Sequence, residues 1–323
     1  MKKILVVFLA QGLLFLGCCR KQQNQTGDSE LKGKITISGA WALYPMVVTW
    51  AEEFQKLHPQ MRFDISAGGA GKGMADALSN AVDLGMVSRE INPAEIEKGA
   101  WWVSVVKDAV VPTVNENNPM IDIFQRKGLT REEFKNIWIT GKIKNWSEFS
   151  DSKEDYPIHV YARSDACGAA STWANYLGGY EQEDLLGIGV YGDPGLAEAV
   201  RSDLLGIGFN NINYAYDRET KLPVKGLRIL PIDLNENGFI DENEMFYSTF
   251  IEIIGAIQFG KYPSPPARDL HLVSHGKPKS PVVIEFLRWS LTAGQEYVSE
   301  AGYIVLPQGN LSEQLKKIEV EHP

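Results

Sequence analysis

Along the chain, stretches in which every second residue is apolar give way to stretches with apolar residues three or four apart. That is the signature of strands and helices taken in turn. Ile35 and Ile37 predict a strand that runs into Gly39. Pro45 suits a first helical turn, and Val47, Trp50, Phe54 and Leu57 then share one helical face. Phe63 and Ile65 alternate as a strand, and Gly68 to Gly73 opens a second helix. Val82 to Ser88 reads as a strand, followed by Asn92-Pro93 as a cap and first-turn pair. Thr130 and Glu133 form a capping box ahead of Phe134, Ile137 and Trp138. Ile158 to Tyr161 predicts a strand leading through Arg163 into a helix that reaches Tyr176. Near the end, Ser280-Pro281 caps a helix carrying Val283, Phe286, Leu287 and Leu291. The alternation predicts an α/β architecture without internal repeats.

The first residues follow a different pattern. Lys2 and Lys3 precede an apolar run, Ile4 to Leu16, that is too short to span a bilayer and reads as a signal-peptide core. It ends at Phe15-Leu16-Gly17-Cys18, which has the form of a lipoprotein cleavage site with Cys18 as the acylated residue. A plain secretory signal that happens to contain a cysteine is the alternative. Residues 1–18 are thus expected to be a lipoprotein leader and 19–33, rich in Gln, Asn, Gly and Ser, a flexible tether. The mature protein is expected in the cell envelope, lipid-anchored and facing the periplasm or the exterior.

With the leader removed, Cys167 is the one cysteine inside the domain, so stability must come from core burial and not from disulfides. A chain of this length with 44% apolar residues can fill two lobes. The net charge of −9 falls to −11 without Lys2 and Lys3, which argues against a nucleic-acid partner. It does not exclude an anionic ligand, because local dipoles and a buried arginine decide a small site.

Three junctions place small residues where a strand gives way to a helix: Ser38 to Pro45, Gly68 to Gly73, and Arg163 to Ser171. Such junctions present free backbone N–H groups and the positive helix end, which suits an anion. In open α/β sheets these loops gather at the carboxyl ends of the strands. The second junction is not a nucleotide P-loop, since Gly73 and not Ser or Thr follows Lys72.

The motifs occur in a recognisable order. Ser38-Gly-Ala-Trp-Ala-Leu-Tyr-Pro45, Trp50-Ala-Glu-Glu-Phe54 and His58-Pro59 come first, then Gly68 to Gly73 and Asp83-Leu-Gly-Met-Val-Ser-Arg89. Ile139-Thr-Gly-Lys-Ile-Lys-Asn-Trp146, Arg163-Ser-Asp165, Gly206-Ile-Gly208 and Ala301-Gly-Tyr-Ile-Val-Leu-Pro307 follow. Over nearly the whole mature chain this order resembles the phosphate-binding proteins of ABC importers. The resemblance implies a two-lobed type II periplasmic-binding fold, crossed twice by the chain, with the ligand sealed between lobes. It implies lobe 1 from residues 34–110 plus 270–323 and lobe 2 from 111–269. It also implies a ligand set around Leu43, Tyr44, Ala70, Asp83, Arg163, Cys167, Gly168 and Ala169.

On that reading Arg163 offers a fixed charged fork, and Asp83 an acceptor suited to a ligand that keeps a proton, such as hydrogen phosphate. The sequence departs from the family at the hydroxyls. Leu43, Ala70, Cys167 and Ala169 stand where the family usually has Ser or Thr. A hydrogen bond to a charged group contributes roughly 1.5–3 kcal/mol, so four losses could remove a large share of a micromolar site's binding energy. Ser164, Ser171, Thr172, Ser88 or Trp41 would have to compensate, or the ligand differs. Cys167 itself reads as a small filler, since no histidine spacing suggests a base for a thiolate.

A separate signal is Asp233-Leu-Asn235-Glu-Asn237-Gly238-Phe239-Ile240-Asp241-Glu-Asn-Glu244. It places oxygen side chains, glycine, an apolar residue and a final Glu as a twelve-residue calcium loop does. The expected ligands are Asp233, Asn235, Asn237, the Phe239 carbonyl, Asp241 and Glu244, with a structural Ca2+ stapling an insertion in lobe 2. A metal-free Asn/Gly turn is the alternative. The expected function is a non-enzymatic, monomeric solute-binding lipoprotein that captures phosphate or a related oxyanion for an ABC permease complex. A binding or sensor lipoprotein of the same fold with a changed ligand is the second possibility.

Overall fold

The computed structural model describes residues 31–150 and 153–319. The leader, Cys18 and most of the tether lie outside the described residues. The first run of elements is β1 (Gly33–Gly39), α1 (Tyr44–Leu57), β2 (Met61–Ala67), α2 (Ala70–Leu78), β3 (Leu84–Val87) and α3 (Pro93–Glu97). The long strand β4 (Ala100–Asn115) leads to α4 (Ile121–Lys127), α5 (Arg131–Trp138), β5 (His159–Arg163), α6 (Gly168–Tyr176), β6 (Ile188–Val190) and α7 (Gly192–Ser202). β7 (Gly206–Asn211), α8 (Ile212–Ala215), β8 (Leu227–Ile229) and α9 (Phe250–Gln258) follow. The chain returns through β9 (Ala267–His275) to α10 (Pro281–Ser290) and α11 (Gln308–Glu319).

β1 pairs in parallel with β2 and β3, and β5 pairs in parallel with β6 and β7. Two antiparallel strands join these groups. β9 pairs with β3 and with β4 over Ala100 to Ala109, and the far half of β4 pairs with β7 and β8. At roughly 3.3 Å per residue the sixteen residues of β4 run about 50 Å, enough to cross both halves. The strand order β2-β1-β3-β9-β4-β7-β5-β6 therefore contains two parallel units bridged by two crossing strands.

Buried side chains separate accordingly into two cores. One gathers Ile35, Trp50, Phe54, Leu84, Val106, Leu270, Phe286 and Tyr303. The other gathers Ala109, Phe124, Trp138, Trp146, Trp173, Phe209, Phe250 and Ala267. The changeover falls between Val106 and Ala109 on β4, and between Ala267 and Leu270 on β9. The architecture is that of a two-lobed type II binding protein, as the ordered motifs implied. Among the described residues no helix is long and apolar enough to cross a membrane.

Local signals placed the helices well. The Thr130–Glu133 box caps α5, with Glu133 N–H donating to Thr130 Oγ1 at 3.2 Å and Thr130 N–H to Glu133 Oε2 at 2.8 Å. Asn92 and Glu95 box α3, and Pro281 opens α10. On α1 the buried face is Met46, Val47, Trp50, Ala51 and Phe54, whereas Leu57 is 60% exposed. The helix ends at Leu57, with His58 as cap, so the last turn runs past the edge of the core.

Candidate functional site

The lobes touch directly where the carboxyl ends of β1, β2 and β3 face the loop after β5. Gly71 N–H, in the first turn of α2, donates to Ala166 O at 3.0 Å. Gly69, at φ +94°, lies so close that a Cβ there would stand 2.6 Å from Ala166 O and 2.9 Å from Asp165 Oδ2. A Cβ on Gly168, the first residue of α6, would stand 2.2 Å from Ser88 O. Both glycines are therefore needed for the two backbones to approach. Trp41, ahead of α1, meets Tyr191 edge-on at 6.3 Å, and its carbonyl accepts from Tyr214 Oη at 3.2 Å.

Arg163 stands at this contact at the end of β5, its side chain fully buried. Nε and Nη2 donate to the two oxygens of Asp165 at 2.8 and 2.6 Å, and Nη1 donates to Asp193 Oδ2 at 2.6 Å. Three of the five guanidinium N–H groups are thus committed within the protein. Asp193, in the first turn of α7, also accepts from Asn211 Nδ2 at 2.7 Å. Two buried carboxylates hold the arginine cationic, its pKa raised above the ordinary value despite desolvation.

A second arginine lies on the crossing strands. Arg268 of β9 faces Asp108 of β4, its register partner, both buried. Arg268 Nη1 donates to Thr172 Oγ1 at 2.9 Å, Nη2 donates to Asn211 Oδ1, and Nε has no acceptor. Neither oxygen of Asp108 has a hydrogen-bond donor, the nearest cation being Arg268 Nη2 at 3.7 Å. Burial pushes the Asp108 carboxyl up to about 7, opposed by Arg268 and reinforced by Asp193. Two arginines therefore balance Asp165 and Asp193, and Asp108 is the surplus acid.

Arg163, Cys167, Gly168 and Ala169 stand on one side of the interlobe contact and Ala70, next to Gly71, on the other, while Leu43 and Tyr44 open α1 in the lobe of Ala70. Leu43, Ala70, Cys167 and Ala169 are buried. Cys167 caps α6, its Sγ accepting from Ala170 N–H at 3.3 Å, and burial lifts its thiol to about 12. A neutral thiol at that position is a cap and filler.

Asp83 is the exception and corrects the expected ligand set. It lies just before β3, at the opposite end of the strand from the cleft, and its Oδ2 accepts from Thr36 N–H and Thr36 Oγ1, each at 2.7 Å. Four strand residues separate it from the interlobe contact, about 13 Å at 3.3 Å per residue. Ser88, buried at the far end of that strand, occupies the cleft position instead.

Of the proposed substitutes for the absent hydroxyls, Ser171 Oγ donates to Cys167 O at 3.2 Å, and Thr172 holds Arg268. Ser164 is exposed, and Trp41 Nε1 is a buried donor without a partner. Reasoning from sequence missed Asp108, Asp193, Asn211 and Arg268. A signal existed for Asp108, a lone acid within the apolar run Val103 to Val114.

The calcium-like loop forms a tight turn. Asp233 accepts from Asn237 and Gly238 N–H at 3.2 and 2.8 Å, and Glu244 accepts from Leu234 and Asn235 N–H at 2.7 and 3.2 Å. Asn235 Nδ2 donates to Asp241 Oδ2 at 2.8 Å, Asn237 Oδ1 accepts from Phe239 N–H, and Gly238 takes φ +83°. Asp233 and Glu244 are buried, yet among the described residues no three His, Cys, Asp or Glu side chains converge as a metal cluster.

Two lobes, two crossing strands and a charged cleft between them define a solute-binding protein of the type II class. A match to the PBP superfamily domain covers residues 24–293, and the chain belongs to that family. It is 25% identical to the phosphate-binding protein PstS of Methanocaldococcus jannaschii over 95% of this chain and 93% of that protein. It is 30% identical to Bacillus subtilis PstS over 54% of this chain, a stretch spanning 59% of the relative's length. An ABC-type phosphate transport receptor from Vibrio cholerae shares the fold at TM-score 0.61 and 20% identity, over 84% of this chain and all of that one. The family resemblance read from the ordered motifs is thereby established.

Proposed function

We propose that this protein is the extracytoplasmic solute-capturing component of an ABC importer, and that its ligand is a small oxyanion of the phosphate class. The observation that carries this reading is a permanently charged, fully buried Arg163 at the meeting point of two helix N-termini from opposite lobes, α2 and α6. First-turn N–H groups such as those of Gly168 and Ala169 have no intrahelical acceptor and favour negative charge. With the lobes in contact across β4 and β9, the two N-termini face the same interlobe space from both sides. The binding role needs no nucleophile, and the buried neutral Cys167 supplies none. Within the same reading Cys18 carries the lipid anchor, and a permease complex receives the ligand from a monomer.

One observation favours the second reading, a sensor or binding lipoprotein with a changed ligand. Asp165 and Asp193 already neutralise Arg163, and Leu43, Ala70 and Ala169 offer no side-chain donor. Calorimetric titration of the purified protein with phosphate, with sulfate and arsenate as comparisons, separates the two. Saturable phosphate binding supports capture for import. A folded, ligand-stripped sample that gives no phosphate heat overturns it and leaves the second reading.

The loop from Asp233 to Glu244 completes the proposal as a Ca2+ site that staples lobe 2. Its oxygen donors include two asparagine side chains and the Phe239 carbonyl, a donor set of low charge that suits modest affinity.

A further inference from the structure

Between the lobes, beyond the contact of Ser88 with Gly168, lies a cavity of about 580 Å³. Its floor is the crossing strands, and its walls come from the segment after β3 on one side and α6 with the following turn on the other. We propose that this cavity is where the protein holds its ligand, and that the ligand is a phosphate monoester of a small polyol anchored by Arg268 and Thr172. The inference rests on the reading that the cleft captures an oxyanion. It moves the anchor from Arg163 to the second arginine and enlarges the ligand.

The donors point to this end of the cleft. Arg268 is 8% exposed and lines the cavity, and its buried Nε–H has no acceptor. Thr172 Oγ1 accepts from Arg268 Nη1 at 2.9 Å, so its own proton remains to be donated. Nε itself is closed off from the cavity, so an oxyanion there would be met by the Thr172 hydroxyl and by the Nη1 and Nη2 protons not given to Thr172 and Asn211. Arg163 by contrast is ion-paired to two carboxylates at 2.6 Å, whereas the acid facing Arg268 forms no hydrogen bond. Arg268 is thus the arginine whose guanidinium no carboxylate holds at hydrogen-bond distance, its nearest acid being Asp108 at 3.7 Å.

The size and remaining chemistry of the cavity select the rest of the ligand. Its volume falls within the range that encloses a small organic molecule, far more than a lone phosphate fills. Asn175, Glu181 and Asp269 line it alongside His271, whose Nδ1 is engaged by Ser104 Oγ at 3.0 Å. Carboxylates and an amide accept from and donate to hydroxyl groups, so the wall fits a hydroxylated body and offers little to an apolar tail.

The test is calorimetric titration of the purified protein with glycerol 3-phosphate, orthophosphate and glycerol, repeated on Thr172→Val and Arg268→Gln. Glycerol 3-phosphate is expected to bind at least about tenfold more tightly than orthophosphate. Thr172→Val, nearly isosteric, should weaken it by about tenfold or more with the circular dichroism spectrum unchanged. This variant carries the test should Arg268→Gln fail to fold. Orthophosphate binding as tight as that of the ester, or ester binding indifferent to Thr172→Val, overturns the inference and leaves the oxyanion reading standing. Absence of binding by both anions overturns the two together.

Discussion

Replacing Asp108 with asparagine tests the charge balance of the cleft. Asp108 is wholly buried with no hydrogen-bond donor, and its carboxyl is raised from 3.8 to about 7. Between those values the folded protein keeps a proton that the unfolded chain has released. The contribution of Asp108 to stability therefore falls as pH rises from about 4 to 7 and levels off above. A displacement of that size corresponds to about 4 kcal/mol, an upper figure because burial and Arg268 act in opposition. The amide that replaces the carboxyl cannot ionise, so Asp108→Asn should gain on wild type by up to about 4 kcal/mol between pH 4 and pH 8. Urea unfolding at pH 4, 6 and 8 measures it. Any packing change from the amide acts at every pH and cancels in the difference between the ends, as do the other titrating groups. A variant that loses as much stability at pH 8 as at pH 4, or more, would refute the reasoning. Asp108 would then be an ionised partner of Arg268.

Other consequences follow from named contacts. His271 is buried and held down to about 4, so its own contribution to stability is lost as pH falls from 6.5 towards 4, against the trend set by Asp108. His271→Gln should abolish up to about 3 kcal/mol of that loss in the same unfolding series. Asp193→Asn frees one Arg163 donor and removes one negative charge from the cleft. If the anion sits on Arg163 this should tighten phosphate by about tenfold or more in calorimetry, whereas unchanged affinity would agree with an anchor at Arg268. Ala169→Thr restores a hydroxyl at the first turn of α6 and should likewise tighten phosphate if the anion sits there; if the ester occupies the Arg268 cavity, it should leave ester affinity unchanged. Millimolar Ca2+ should raise the melting temperature, and Asp233→Asn with Glu244→Gln should remove that rise. An equal rise in wild type and variant would place the effect elsewhere.

The parts of the molecule legible in the sequence were those governed by local rules. Capping at Thr130 and Asn92, the apolar face of α1 and the alternation of β2 each depend on residues a few positions apart. Motif order then supplied the global fold, which periodicity alone does not give. The crossing strands were not legible in the same way. The inner half of β4 is apolar almost throughout, so it shows no period, and its antiparallel partner β9 lies more than 150 residues away. Asp83 was misplaced for a related reason. A motif aligned by residue type carries no information about which end of a strand faces the cleft, and a four-residue strand is long enough to reverse the answer.

Pairwise charge across the chain decides what the cleft can hold, and no single motif contains it. Arg163 alone looks like an anion site, and Arg163 with Asp165 is visible as a motif. Asp193 arrives from α7 and Arg268 and Asp108 from opposite crossing strands. With Asp108 ionised the five groups sum to −1, and with Asp108 protonated they sum to zero. An incoming anion therefore meets either a net negative charge or a neutral set, and the two states exchange near neutral pH. Anion affinity should consequently weaken as pH rises through about 7 even for a ligand whose own charge is constant, such as sulfate. Sulfate is the useful probe for that reason. Its heat of binding, measured from pH 6 to pH 8 in wild type and in Asp108→Asn, should decline in the first and stay level in the second. A decline in both would assign the effect to some other group and detach Asp108 from the ligand.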